Sequence, residues 1–190
     1  MDEEIISEIN KPEKTALVVW DVQKALVERI FNKDEFLGNL KRLIEAAHQL
    51  KSPVFFSKIT PLPERFESRA RKLVFRKRRM ALMPEGLELA ILPSQDDIVV
   101  SKNTASIFIG TNFELMVRNA GIATLIFTGI STEFGVESSA RDAFNRGFFV
   151  VIAKDAVSSS SKEGHDRSLQ NMENMLCLMT TGEILQMWNS

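Results

Sequence analysis

Six short apolar runs, separated by longer amphipathic stretches, constrain most strongly what this 190-residue chain can fold into. The runs are TALVVW at 15–20, PVFFSK at 53–58, DIVVSK at 97–102, ATLIFTG at 123–129, FFVVIA at 148–153 and MLCLMT at 175–180. They are rich in β-branched and aromatic residues and alternate little with polar ones, as strands do when helices cover both faces. Helical patterns lie between them at 34–51, 111–120, 133–146 and 162–174, with Gly121 and Gly147 as stops after the second and third. In the first, Phe36, Leu40, Leu43, Ile44, Ala47 and Leu50 share one face, a stripe suited to packing on a sheet. Each link is long enough for a right-handed crossover. The pattern predicts an α/β protein, a three-layer sandwich whose six-stranded, mostly parallel sheet carries helices on both faces, with all six runs as central strands.

The length suits a single domain over 1–190, with 1–14 as an acidic N-terminal extension. Hydrophobic residues at 44% can build a sizeable core. Twenty-four Lys+Arg against 25 Asp+Glu leave a net charge of -1, so no global field draws the chain to nucleic acid or an anionic membrane. No apolar run approaches the about 18 residues of a spanning helix. The one cysteine, Cys177, cannot form an intramolecular disulfide or supply a zinc cluster, and a cytoplasmic location is expected.

Two segments break the rhythm. Residues 61–94 hold four of the six prolines and a run with eight Arg or Lys between Arg65 and Arg79. This irregular basic insertion reads as a solvated helix or subunit contact, as an electropositive rim for carboxylate substrates or, least favoured, as a nucleic-acid patch. SSSSK at 158–162 reads as a flexible turn into the last helix.

Ligands of an open parallel sheet bind beyond the carboxyl ends of its strands, where strand order reverses. Asp21 directly follows TALVVW, with Gln23 two residues on, and Lys102 ends DIVVSK. After ATLIFTG comes ISTEFGVE, a small-residue turn whose amides can face an anion. A carboxylate, an ammonium and an amide-rich turn therefore meet at one sheet edge.

These blocks resemble the isochorismatase-like hydrolase superfamily, the group of isochorismatases, nicotinamidases and N-carbamoylsarcosine amidases. ALVVWDVQ at 16–23 resembles its strand followed by Asp-x-Gln, and SKNTASIFIGTNFE at 101–114 its Lys-x-x-x-Ser-x-Phe-x-Gly-Thr segment. FTGISTEFGVESSARDAFNRGF at 127–148 resembles its Gly-x-x-Thr-x-x-Cys turn and following helix, and TTGEIL at 180–185 completes the order. The resemblance implies a catalytic Asp, Lys and Cys, which map onto Asp21, Lys102 and Gly135. The nucleophile position thus holds no side chain, and glycine cannot form an acyl-enzyme. Cys177, inside an apolar run, does not replace it. Isochorismatases resemble this chain in having glycine there, and their vinyl-ether hydrolysis needs a proton donor and a water rather than a covalent nucleophile. Asp21 is the expected acid and Lys102 its electrostatic partner.

The resemblance further implies a cis peptide between Ile130 and Ser131, with Ser131 and Gly135 as oxyanion donors. Gln23, Thr132 and Glu133 are candidate substrate-binding residues; Glu133 either faces the cleft or serves the start of a helix. The hydroxyls of Ser131, Thr132 and Ser138 are expected to make capping or turn bonds, since no histidine base lies nearby in sequence. No metal is expected, because residues 57–66 lack the histidines with which nicotinamidases hold one, and no cofactor is implied. Asn103, Thr104 and Ala105 replace the aromatic and arginine residues that follow the lysine in isochorismatases, which points to another small, carboxylate-bearing substrate. A homo-oligomer is implied. Two functions compete: a cysteine-independent hydrolase, and a catalytically silent binding or scaffold member.

Overall fold

The structure is a computed structural model describing residues 3–77 and 86–189, so residues 78–85 of the basic insertion lie outside the described residues. The elements run α1 (Glu3–Ile9), β1 (Thr15–Trp20), α2 (Lys24–Val27), α3 (Lys33–Gln49), β2 (Val54–Ile59), α4 (Arg69–Lys77), β3 (Ile98–Lys102), α5 (Phe113–Asn119) and β4 (Thr124–Ile130). They continue as α6 (Glu137–Asn145), β5 (Phe149–Ser158), α7 (Lys162–Glu173), β6 (Cys177–Met179) and α8 (Thr181–Trp188).

All six strands pair in parallel, in the order β3-β2-β1-β4-β5-β6. The chain builds outward from β1 to β3, then returns to place β4 on the other side of β1. Strand order therefore reverses between β1 and β4, which opens a crevice at their carboxyl ends.

Alternation along β1 assigns the two faces. Leu17 and Val19 join a core with Phe36, Leu40, Leu43 and Ala47 of α3 and with Ile184 and Met187 of α8. Ala16, Val18 and Trp20 point the other way, into a core with Phe113 and Val117 of α5, Ala140 and Ala143 of α6 and Met172 of α7. Every residue of β1 and β4 is buried, as strands covered on both faces require.

Some expectations need correction. β3 and β6 are edges, not central strands, and Val99 on β3 is 45% exposed. β5 extends to Ser158, so SSSSK is no flexible turn at its start; Ser158 and Ser159 are fully buried. Polar Lys154 and Asp155 fit inside this strand because Asp155 accepts bonds from Thr181, through its backbone N–H at 2.7 Å and its hydroxyl at 2.8 Å. The N-terminal extension forms α1, with Ile9 buried in the core, and the basic insertion contains α4.

Leu43 is fully buried at the centre of α3. Leu43→Ala is expected to cost about 2–5 kcal/mol through lost burial and the cavity left behind. Phe66→Ser, at a residue 69% exposed, should change stability by about 0.5 kcal/mol or less. Urea denaturation of the two variants checks the contrast.

Candidate active site

Asp21 begins the loop after β1 with a φ of 46°, a left-handed conformation that an aspartate tolerates better than a bulky residue. The bend turns its carboxylate toward β2 and β3. Oδ1 accepts a hydrogen bond from the Ser57 hydroxyl at 2.6 Å, and Oδ2 accepts one from Lys102 Nζ at 2.7 Å. The Ser57 oxygen also accepts the Asp21 backbone N–H at 3.0 Å. Ser57 lies on β2, between the strands that carry the two charges, and so locks the carboxylate across the sheet edge.

Both charged side chains are out of water, at 4% exposure for Asp21 and 2% for Lys102. Burial raises the Asp21 carboxyl above the usual carboxylate range, outweighing the charge and hydrogen bond of Lys102 and the hydrogen bond of Ser57. Burial likewise lowers the Lys102 ammonium against the pull of Asp21, and the nearby positive charge of Arg71 lowers it further. Arg71, on α4, donates from Nη1 to the Asn103 carbonyl. The basic insertion thus brings a guanidinium beside the pair.

An ammonium has three donors. That of Lys102 meets Asp21 Oδ2, the Thr104 carbonyl at 3.2 Å and the face of the Trp20 indole at 3.9 Å from its centroid. Trp20 itself is buried. The indole also lies against Gly135, inside the π-helical turn Thr132–Val136 that follows the cis bond between Ile130 and Ser131. The space beside Gly135 is therefore filled by Trp20.

The other expected residues have different surroundings. Gln23 is wholly buried, and its amide is spent on backbone: Nε2 donates to the Leu87 carbonyl at 2.6 Å, and Oε1 accepts from the Ile59 N–H at 3.0 Å. Thr132 Oγ1 lies 3.1 Å from the Ser158 carbonyl, to which it donates, and 2.8 Å from His165 Nδ1. Glu133 Oε1 accepts from the Ser159 hydroxyl at 2.7 Å and sits against Gly164 in the first turn of α7, so this carboxylate serves the start of α7 rather than that of its own helix. Its Oε2 is buried with no hydrogen-bond partner among the described residues. Ser138 is exposed on α6 and Ser131 half-buried.

Sequence reasoning misses three participants. Ser57 could have been found as the hydroxyl inside the apolar run PVFFSK. Trp20 reads only as the last apolar residue of a strand. His165 lies 33 residues from Thr132 in sequence, and no local signal joins them; burial lowers its pKa. Cys177, on edge strand β6, is half-buried with its thiol pushed up to about 11 by burial. Among the described residues, no three His, Cys, Asp or Glu side chains gather as a metal-holding group. No described helix is long and apolar enough to cross a membrane.

A family model for the isochorismatase domain matches residues 15–184. The chain belongs to the isochorismatase family. It is 32% identical over 164 residues to the isochorismatase family protein YecD of Escherichia coli O157:H7, covering 83% of this chain and 87% of that one. It is 29% identical over 194 residues to the ureidoacrylate amidohydrolase RutB of Pseudomonas syringae pv. syringae, covering 86% and 78%. Its fold is similar to that of a cysteine hydrolase from Pseudomonas syringae pv. phaseolicola 1448A, with a TM-score of 0.85, 22% identity and 94% of each chain covered.

The Asp21 carboxyl holds its proton more tightly in the folded than in the unfolded chain. Folding therefore penalises the ionised form above the raised pKa, and the penalty fades as pH falls through it. Lys102→Met removes the countercharge and should cost about 3–5 kcal/mol at neutral pH. The loss should shrink in mild acid as Asp21 takes up a proton. Urea denaturation across pH measures both, and a loss that stays constant in acid would contradict the pairing.

Proposed function

We propose that the chain is an isochorismatase-family hydrolase that acts on a small, carboxylate-bearing metabolite by proton transfer through Asp21, with no covalent cysteine intermediate. The observation that carries this reading is the Asp21 carboxyl, held between Ser57 and Lys102 at the reversal of strand order with its pKa raised by burial. A carboxyl whose proton affinity is raised by desolvation is suited to general-acid work. In the hydrolysis of a vinyl ether, the double bond takes the Asp21 proton at its carbon remote from oxygen, and the oxygen-bearing carbon becomes the cationic centre of an oxocarbenium ion. Water adds to the cationic carbon and returns a proton to Asp21; the hemiketal then breaks its C–O bond to give a ketone and an alcohol. Lys102 stabilises the carboxylate left on Asp21 between these steps.

Gly135 supports the absence of a covalent step, since it offers no attacking atom. Cys177, with its thiol raised and its place on an edge strand, supports it too. The positive charge of Arg71 near Lys102 favours a negatively charged substrate group at this edge. A carboxylate substrate also accords with the name of the ureidoacrylate amidohydrolase relative. Thr132 and Glu133 would shape the wall on the α7 side, and Gln23 would brace the loop after β1. We further propose a cytoplasmic homo-oligomer, as the family resemblance implies.

A second reading, a binding member without turnover, is favoured by the deep burial of the pair and by the indole that fills the place beside Gly135. Screening small carboxylates, vinyl ethers among them, separates the two. Asp21→Asn should lower the turnover found by at least about 100-fold, while Cys177→Ser leaves it unchanged. The rate should also fall as pH rises through the raised pKa of Asp21, because the acid is then lost. A compound that binds the parent protein and is never converted would favour the second reading, and full activity in Asp21→Asn would defeat the first.

A further inference from the structure

We propose that Trp20 closes this site to any nucleophilic side chain: its indole occupies the space beside Gly135 and seats the Lys102 ammonium, so that Trp20 and Gly135 act as one steric unit. A Cβ built on Gly135 would lie 1.9 Å from Trp20 Nε1, 2.2 Å from Cε2 and 2.4 Å from Cζ2, well inside the 3.0 Å that real Cβ atoms respect. Alanine, serine and cysteine all bring that atom. The obstacle is therefore the first carbon of the side chain, whatever chemistry follows it.

Trp20 is held through its backbone and through its ring. Its backbone is fixed by the pairing of Trp20 with Gly129 on β4, where a Cβ would meet the Trp20 carbonyl oxygen at 2.0 Å and its nitrogen at 2.6 Å. One glycine thus admits the Trp20 backbone and another its ring. The ring face also meets the buried Lys102 ammonium, 3.9 Å from the ring centroid. Swinging the indole away from Gly135 would strip a desolvated cation of a partner, so the ring cannot yield cheaply to a larger residue.

The chemical consequence rests on the cysteine-free reading of the site, whereas the steric unit does not. A thiol at 135 would stand where the indole now stands, beside the Lys102 ammonium, whose charge favours a thiolate. Introducing sulfur alone cannot produce that arrangement. Removing the indole at the same time can.

The first test is Gly135→Ala in a Trp188→Phe background, where Trp20 is the sole tryptophan of the two in the sequence. Its thermal midpoint should fall and its emission shift to the red as the indole is expelled, while the same Gly135→Ala in a Trp20→Val background should shift the midpoint much less. The second test, in a Cys177→Ser background, compares alkylation by iodoacetamide, in which the thiolate displaces iodide. Trp20→Val with Gly135→Cys should react at least about tenfold faster than Gly135→Cys alone, and adding Lys102→Met should slow it. Unchanged emission and midpoint in Gly135→Ala, or equal alkylation with and without Trp20, would overturn the proposal. Should the double variant fail to fold, the Gly135→Ala pair decides alone. None of these readouts depends on turnover, so loss of the Asp21 mechanism would leave them standing.

Discussion

Taking a carboxylate and an ammonium out of water together is costly unless each completes the other, and the carboxyl edge of this sheet is arranged around that requirement. Asp21 and Lys102 come from β1 and β3, which are not neighbours; β2 lies between them and supplies Ser57 as the bridge. The register Val19↔Phe56 and Ile59↔Lys102 brings the three groups within two residues of one another at the strand ends. A slip of β2 by one residue would turn Ser57 to the opposite face and aim Phe56 at the carboxylate. Strand pairing and site geometry are thus a single constraint.

Much of this was legible because it was local. A run of five apolar residues ending in a tryptophan and followed by Asp21 marks a buried strand with a carboxylate at its mouth, and β1 spans Thr15–Trp20 as expected. The stops at Gly121 and Gly147 sit just past helices ending at Asn119 and Asn145. Where partners are distant in sequence, the reading fails. Lys154 and Asp155 look like the end of a strand, yet β5 continues because the Asp155 carboxylate caps α8 through Thr181. His165 falls in the helical pattern at 162–174 with nothing to mark its partners, yet α7 folds over the turn after β4 and buries it against Thr132 and Phe31. Pattern reports which side chains leave water, not whom they meet.

Departures from regular backbone are concentrated in the same corner. Asp21 has a positive φ, the β4–β5 register shifts between Phe127 and Gly129, and β4 runs through a cis bond into a π-helical turn. Elsewhere the sheet is regular and its two cores are filled by interdigitated aliphatic and aromatic side chains. Local rules are broken most often where a structure must aim particular atoms. Each irregularity here bears on Trp20 or Asp21: the bend at 21 aims a carboxylate, Gly129 admits the Trp20 backbone, and the turn at 132–136 brings Gly135 against the indole. Adjacent in sequence, Trp20 and Asp21 both converge on Lys102, one through its π face and one through its carboxylate. The ammonium is thus the fixed point of the corner. A change at any of the three residues should be felt by the other two before it is felt by the rest of the sheet.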